Sequence, residues 1–408
     1  LVPHRLGFDI GGLPEIDARR AACMGVLLGA LVAGRSREVT PRWRLFDVLC
    51  LAPVLTFSLS YGLSNADAGM KALAHRIVAL TMDWGVPYVL ARAVLRDWGD
   101  LRAALRPVAI CSVILAGLAV YECRMATRLT AELWNMAGLE VPIPRHATGW
   151  RWGLLRATAG FTHPLTMATV LAAMTPLMQL WRLLEPSVRW KGWVAMLACA
   201  AGCAASLSRG PMLVLGLVGI VFTIATVPRR TPILFALLAL VLAASPFIFE
   251  AGRSEAKYVR TELDTRGNVE SSHYRFALFL IYGEQVLEAG FLGSGDADMD
   301  LEYQHAWSVD NAYLYLFLRG GWLGGGCFLA IVFCVLYAGG GRILRGRGMH
   351  RKLLCALVAS FATMAGCMAN VWFAPDYAPF FFIMTALVSN QILATGSPQP
   401  THQRSRRH

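Results

Sequence analysis

Apolar runs of the length a membrane helix needs, separated by short polar connections, set the pattern of this chain. A helix crossing the hydrocarbon core takes about 20 mostly apolar residues. Runs of that kind fall near 21–33, 45–63, 77–91, 105–121, 164–181, 193–208, 210–227, 231–249, 311–338, 353–373 and 377–394. Two long connections interrupt them, 122–163 and 250–310. The sequence therefore predicts an all-α polytopic bundle of about 11–12 transmembrane helices. Its organisation is a first set of membrane helices over 1–249, a large loop over 250–310, a second set over 311–394 and a basic tail over 395–408.

Basic residues orient these spans. Arg35, Arg37, Arg42 and Arg44 lie in one connection, Arg92, Arg96, Arg102 and Arg106 in another, and Arg182, Arg189 and Lys191 in a third. Arg229 and Arg230, then Arg342, Arg345, Arg347, Arg351 and Lys352, and finally the tail "THQRSRRH" continue the series. Counted span by span they all fall on one side, which the positive-inside rule makes the cytoplasm. The long connections then face outward and the C-terminus is cytoplasmic. Residues 1–20 start outside, and a further span ahead of Leu1 would bring the total near twelve. Within the large loop, "RFALFLIYGEQVLEAG" is apolar yet bounded by Arg275, Glu284 and Glu288, so it reads as a helix at the outer face or packed on the bundle. Arg209, in "AASLSRGPMLVLGLVG", falls at the outward tip of a tight helix hairpin whose turn is set by Gly210 and Pro211.

Composition agrees with a membrane protein: 56% of the 408 residues are hydrophobic and 16% charged, with a mean hydropathy of +0.49. The net charge of +12 is explained by topology, because the basic residues sit in short clusters between spans, and no nucleic-acid partner is implied. Nine of the ten cysteines lie in or beside apolar runs, without a C-x-x-C pair, as small packed side chains do. The alternating acids Asp296, Asp298, Asp300 and Glu302 lack the glycine and closing glutamate of an EF-hand, so they read as a solvated acidic loop, with no metal assigned. "GFLGSG" has no strand-turn-helix context and is not a dinucleotide fingerprint; no soluble cofactor is implied.

The order "SLSRG" before a span, a "HYR" helix start in a large outer loop, "EAGFLGSG", then "VDNAYLYLFLRGGWLGG" resembles the O-antigen ligase and polymerase family, including exopolysaccharide polymerases. "FTHPLTMATVLAAMTPL" and "VPYVLARAVLRDWGDL" also resemble segments of those proteins. The resemblance implies a metal-independent GT-C-type glycosyltransferase of the bacterial inner membrane. It would work at the periplasmic face on an undecaprenyl-pyrophosphate-linked oligosaccharide, with membrane lipid and chain-length-regulating or export proteins as partners. It makes Arg209 and Arg275 the pyrophosphate-facing arginines. Asp310 stands in register with the histidine of the ligases, followed by Asn311 and Tyr313. His305, five residues earlier, is the alternative acceptor base, and His163 a supporting residue. The absent histidine tilts the reading toward a polymerase over a ligase that transfers to lipid A-core or protein. Each residue also has a plainer role open to it. Arg209 would serve as an interfacial anchor, Arg275 as a cap or solvating group of the loop helix, Asp310 as the N-cap of the next helix, and His163 as a helix start before Pro164. A transporter or flippase is the competing class; against it, the candidate charges cluster on one face and no inverted repeat or pair of broken helices is evident.

Overall fold

Among the described residues the apolar runs fold as helices. The computed structural model describes residues 7–8, 16–17, 20–25, 45–64, 69–136, 149–226, 278, 282–295, 309–371, 373 and 377–393. A short antiparallel pair, β1 (Gly7–Phe8) with β2 (Ile16–Asp17), precedes α1 (Leu45–Ser64). One continuous passage follows: α2 (Gly69–Leu80), a π-helical turn over Thr81–Gly85, and α3 (Val86–Val94). α4 (Trp98–Met125) starts where the Asp97 carboxylate accepts the N–H groups of Gly99 and Asp100 at 2.7 and 2.9 Å, an N-cap of the ordinary kind. Then come α5 (Leu129–Met136), a hairpin of β3 (Trp150–Arg151) and β4 (Leu154–Leu155), α6 (Pro164–Leu184), α7 (Arg189–Ala205) and α8 (Arg209–Thr226). α9 (Gly283–Glu288), α10 (Ala312–Arg345), α11 (Gly348–Met368) and α12 (Ala378–Leu393) complete the order.

Seven of these passages are long and apolar enough to cross a membrane. α7 and α12, with 17 and 16 residues, are shorter. All nine coincide with apolar runs of the sequence, whereas 231–249 and most of 21–33 lie outside the described residues. The protein is an all-α polytopic membrane protein. Leu55, Ile110, Leu213, Leu217 and Phe333 stay exposed on the outside of the bundle, a placement that suits hydrocarbon. α6 is the central element, buried at every position from Pro164 to Ala173 and packed against α4, α7, α8 and α11.

Polar clamps define one end of the bundle. Asp47 accepts from the Tyr88 hydroxyl at 2.6 Å and from Arg92 Nε at 2.9 Å, and Arg92 also meets Asn390, tying α1, α3 and α12 together. Glu185, just past α6, accepts from Arg106 Nε and Nη2 at 3.1 and 2.5 Å, from Arg102 at 3.3 Å and from Trp181 Nε1 at 3.0 Å. Those Arg106 bonds, helped by Trp181 and Arg102 and opposed by burial, hold its carboxyl down to about 2. Arg351 donates to the Thr226 carbonyl at 2.6 Å. Among the described residues the arginine-rich connections at 95–106, 182–191 and 342–352 thus share one end, the basic end, and 149–163, 206–208 and 369–371 share the other, the loop end.

α10 is broken. Gly321 has φ 62° and ψ −165°, and the chain around Gly290–Gly295 fills the gap. Ser294 and Gly295 donate their N–H groups to the Leu318 and Arg319 carbonyls at 2.9 and 3.0 Å, while Trp322 and Leu323 donate to Gly290 and Phe291 at 3.1 and 3.0 Å. Backbone groups in hydrocarbon must be paired inside the protein, and this reciprocal set pairs those that the break frees. A Cβ on Gly321 would lie 2.3 Å from the Gly293 nitrogen, so the two motifs "EAGFLGSG" and "LRGGWLGG" are backbone-to-backbone partners. The glycines of "LRGGWLGG" divide between two tasks. Gly320 and Gly324 allow close packing against the Phe57 ring, but Gly321 serves a break. Leu278 and Tyr282 are buried, so this part of the large loop packs on the bundle.

Candidate functional site

At the loop end the site grows from the turn between α7 and α8. Ser206 begins it: its hydroxyl donates to the Cys203 carbonyl at 2.7 Å and accepts from the Ser208 N–H at 3.1 Å. Leu207 makes the reversal, with φ 53°. Gly210 and Pro211 therefore do not set this turn, contrary to the sequence reading; they belong to the first turn of α8, where a proline lacks no needed donor. Gly210 serves a close approach instead, since a Cβ there would come within 3.1 Å of Asn370 Cβ. Arg209 is the first residue of α8 and is exposed.

The 149–163 segment locks this turn from above. Arg151 Nη1 donates to the Leu207 carbonyl at 2.7 Å, Arg156 Nε to Ser206 O at 3.2 Å, Arg156 Nη2 to Ser208 Oγ at 2.9 Å, and the Ala157 N–H to Ala205 O at 3.2 Å. Cations and N–H groups on the last carbonyls of α7 satisfy its C-terminus and complement its dipole. The segment is itself pinned by Glu122, which is fully buried. One carboxylate oxygen accepts the Thr158 and Ala159 N–H groups at 3.0 and 2.8 Å; the other accepts the Thr130 hydroxyl at 2.9 Å. The result places the indole of Trp152 5.4 Å from the Arg209 guanidinium carbon. Among the described residues no carboxylate pairs with Arg209.

A second helix N-terminus meets the same place. Asn311 caps α10: its Oδ1 accepts the Tyr313 and Leu314 N–H groups at 3.0 and 3.1 Å, and its Nδ2 donates to Ala369 O at 3.0 Å. The Tyr313 hydroxyl donates to Ala365 O at 2.8 Å. Asn311 and Tyr313 thus fix the start of α10 to the end of α11. The N-cap role open to Asp310 falls to Asn311, and Asp310 precedes the cap, half-buried. Ala369 and Asn370 are adjacent, so α8 at Gly210 and α10 at Asn311 abut neighbouring residues of one short turn. That brings Arg209 and Asp310 to one region of the loop end, with two helix N-termini that both favour anions.

His163 caps α6, its Nδ1 accepting the Leu165 N–H at 3.1 Å, with Pro164 in the first turn. Arg275, His305 and the run Asp296, Asp298, Asp300 and Glu302 lie outside the described residues. Sequence reasoning passed over Trp152, Arg151, Arg156 and Glu122. The signal available was "GWRWG", a Trp-x-Trp pair between glycines, and a lone acid, Glu122, at the end of an apolar run.

A comparison with curated proteins finds no match. Residues 194–329 match the family model described as O-antigen ligase. The match runs from α7 into α10 and takes in Arg209, Arg275, Asp310 and both halves of the broken-helix junction. Over residues 194–329, about a third of its length, the chain is similar to the O-antigen ligase family.

Proposed function

We propose that the protein is an inner-membrane glycosyltransferase of the GT-C type that polymerises undecaprenyl-pyrophosphate-linked repeat units into O-antigen or exopolysaccharide at the periplasmic face. The observation that carries this reading is Arg209: an exposed guanidinium at a helix N-terminus, fixed by a locked turn, with no carboxylate on it among the described residues. A cation so held suits an external phosphate, because its donor fork matches phosphate oxygens. In the reaction the acceptor oxygen bonds to the anomeric carbon as the bond from that carbon to the pyrophosphate breaks. The electron pair leaves with the lipid pyrophosphate, where Arg209 and Arg275 stabilise the developing charge. Asp310, or His305 in its place, takes the proton of the acceptor hydroxyl. The apolar spans form a lateral entrance for the lipid chain, and the basic end faces the cytoplasm.

The broken α10 bears on the transport alternative. Transporters use the carbonyls and N–H groups freed at a helix break to hold their cargo. Here the Gly290–Gly295 chain takes four of those groups, a design for rigidity.

The test is an assay of the purified protein in nanodiscs with undecaprenyl-pyrophosphate oligosaccharide, in EDTA, for wild type, Arg209→Ala and Arg275→Ala. Lengthened lipid-linked glycan from wild type alone supports the polymerase. Product formed only when lipid A-core or a protein acceptor is added would make it a ligase, and sugar moved across a vesicle without new linkages would make it a transporter.

A further inference from the structure

We propose that the indole of Trp152 is a stacking platform for the reducing-end sugar of the donor, the sugar joined directly to the pyrophosphate. This rests on the reading of Arg209 as a pyrophosphate ligand and names the part of the substrate next to it. The first observation is backbone conformation. Trp152 and Gly153 form the two-residue tip of the β3–β4 hairpin with φ 54° and 74°, a turn that asks for asparagine, aspartate or glycine at both places. A bulky aromatic is a poor choice for that tip, so the turn itself does not account for it.

The second observation is placement. The hairpin is fastened to the Arg209 turn by Arg151, Arg156 and Ala157, and its base by Glu122, and the Arg209 guanidinium carbon lies over the Trp152 ring, 5.4 Å from its centroid. Yet Trp152 remains 66% exposed. A tryptophan that only anchors the protein in the interface needs no fixed distance from one arginine. A sugar bonded to a phosphate on Arg209 arrives within a few ångströms of that guanidinium, and its C–H face meets the electron-rich face of an indole favourably. Trp150, two residues earlier, is exposed as well.

Asparagine suits the hairpin tip, so Trp152→Asn removes the ring without straining the fold. Binding of two probes to the protein in nanodiscs is measured by native mass spectrometry: undecaprenyl pyrophosphate, and the same lipid carrying a disaccharide. The expected result is a three- to tenfold loss of affinity for the sugar-bearing lipid, roughly the worth of one aromatic stack, with the sugar-free lipid unchanged and Trp152→Phe retaining most of the wild-type affinity. Unchanged binding of both probes by Trp152→Asn would overturn the proposal and leave an interfacial anchor. An equal loss for both would also overturn it, making Trp152 a support for Arg209. A wild type that binds neither lipid would bring down the donor-site reading together with the platform.

Discussion

Glu122 is the residue on which the loop end hangs, and replacing it separates geometry from charge. Its buried carboxylate accepts the N–H groups of Thr158 and Ala159 through one oxygen and the Thr130 hydroxyl through the other. Alanine there strands two buried backbone donors. Hydrogen bonds to a charged acceptor contribute about 1.5–3 kcal/mol each, so losing the Thr158 and Ala159 bonds costs about 3–6 kcal/mol. Glutamine behaves differently. Its carbonyl oxygen can face the two N–H groups while its amide faces Thr130, whose hydroxyl turns to accept. Glu122→Gln loses the charge, which Arg128 feels, and the weak 3.4 Å bond from the Thr130 N–H, and costs about 1–2 kcal/mol. Hydrogen exchange at Thr158 and Ala159 reads this directly: in Glu122→Ala their amides should exchange roughly 10²- to 10⁴-fold faster, in Glu122→Gln far less so. Transferase activity should fall in the same order, because Trp152, Arg151 and Arg156 move with the segment. Wild-type exchange in Glu122→Ala, or equal damage in both variants, would refute the reasoning.

Three further outcomes follow from the packing. Gly321→Ala should lower the thermal midpoint in detergent, since its φ and ψ are open to glycine alone and a Cβ would meet Gly293 N and Phe291 O at 2.3 and 2.5 Å; the strain alone is about 1–3 kcal/mol. Gly326→Ala, in the same helix with open space around it, is the control and should not destabilise. Asp47→Ala should cost about 2–4 kcal/mol by leaving the half-buried Arg92 without its carboxylate, and Asp47→Asn less; chemical unfolding in detergent compares them. Glu185, whose folded pKa is depressed to about 2 chiefly by Arg106, stabilises the protein fully above its ordinary value near 4.5 and loses that contribution as pH falls from there toward 2. The melting-temperature gap between wild type and Glu185→Gln should therefore be widest near neutrality and close across that window.

Span positions and the gathering of arginines at one end were legible because both are one-dimensional signals: run length and charge placement survive without knowing any partner. The turn at Arg209 was not. "RGP" looks like a turn in isolation, but Leu207 takes the left-handed conformation because Arg151, Arg156 and Ala157, about fifty residues away, hold the surrounding carbonyls. Hydropathy likewise reads 311–338 as one span. The break at Gly321 depends on N–H groups of Ser294 and Gly295 that no window over that span contains. The plainer role left open to Asp310, that of helix cap, falls to the next residue, Asn311, which also reaches Ala369. Pattern reading thus located the segments that matter and misassigned roles wherever a distant segment supplies the partner.

Exposure alone would not separate a ligand-binding Arg209 from an interfacial anchor, because lipid headgroups also offer phosphate. Its neighbours do. At the basic end, Arg92, Arg102, Arg106 and Arg351 each have an acceptor within the protein, and at the loop end Arg151 and Arg156 are occupied by the carbonyls of the α7–α8 turn and by Ser208. Those pairs fix Arg209 from one side, and the contact of Gly210 with Asn370 fixes it from the other. An anchor gains nothing from such rigidity, since lipids diffuse to meet it. A group that must meet charge developing on one leaving oxygen gains a great deal, because preorganised donors need no rearrangement at the moment of reaction. The turn's construction, more than its charge, is what supports the proposal that Arg209 belongs to a site.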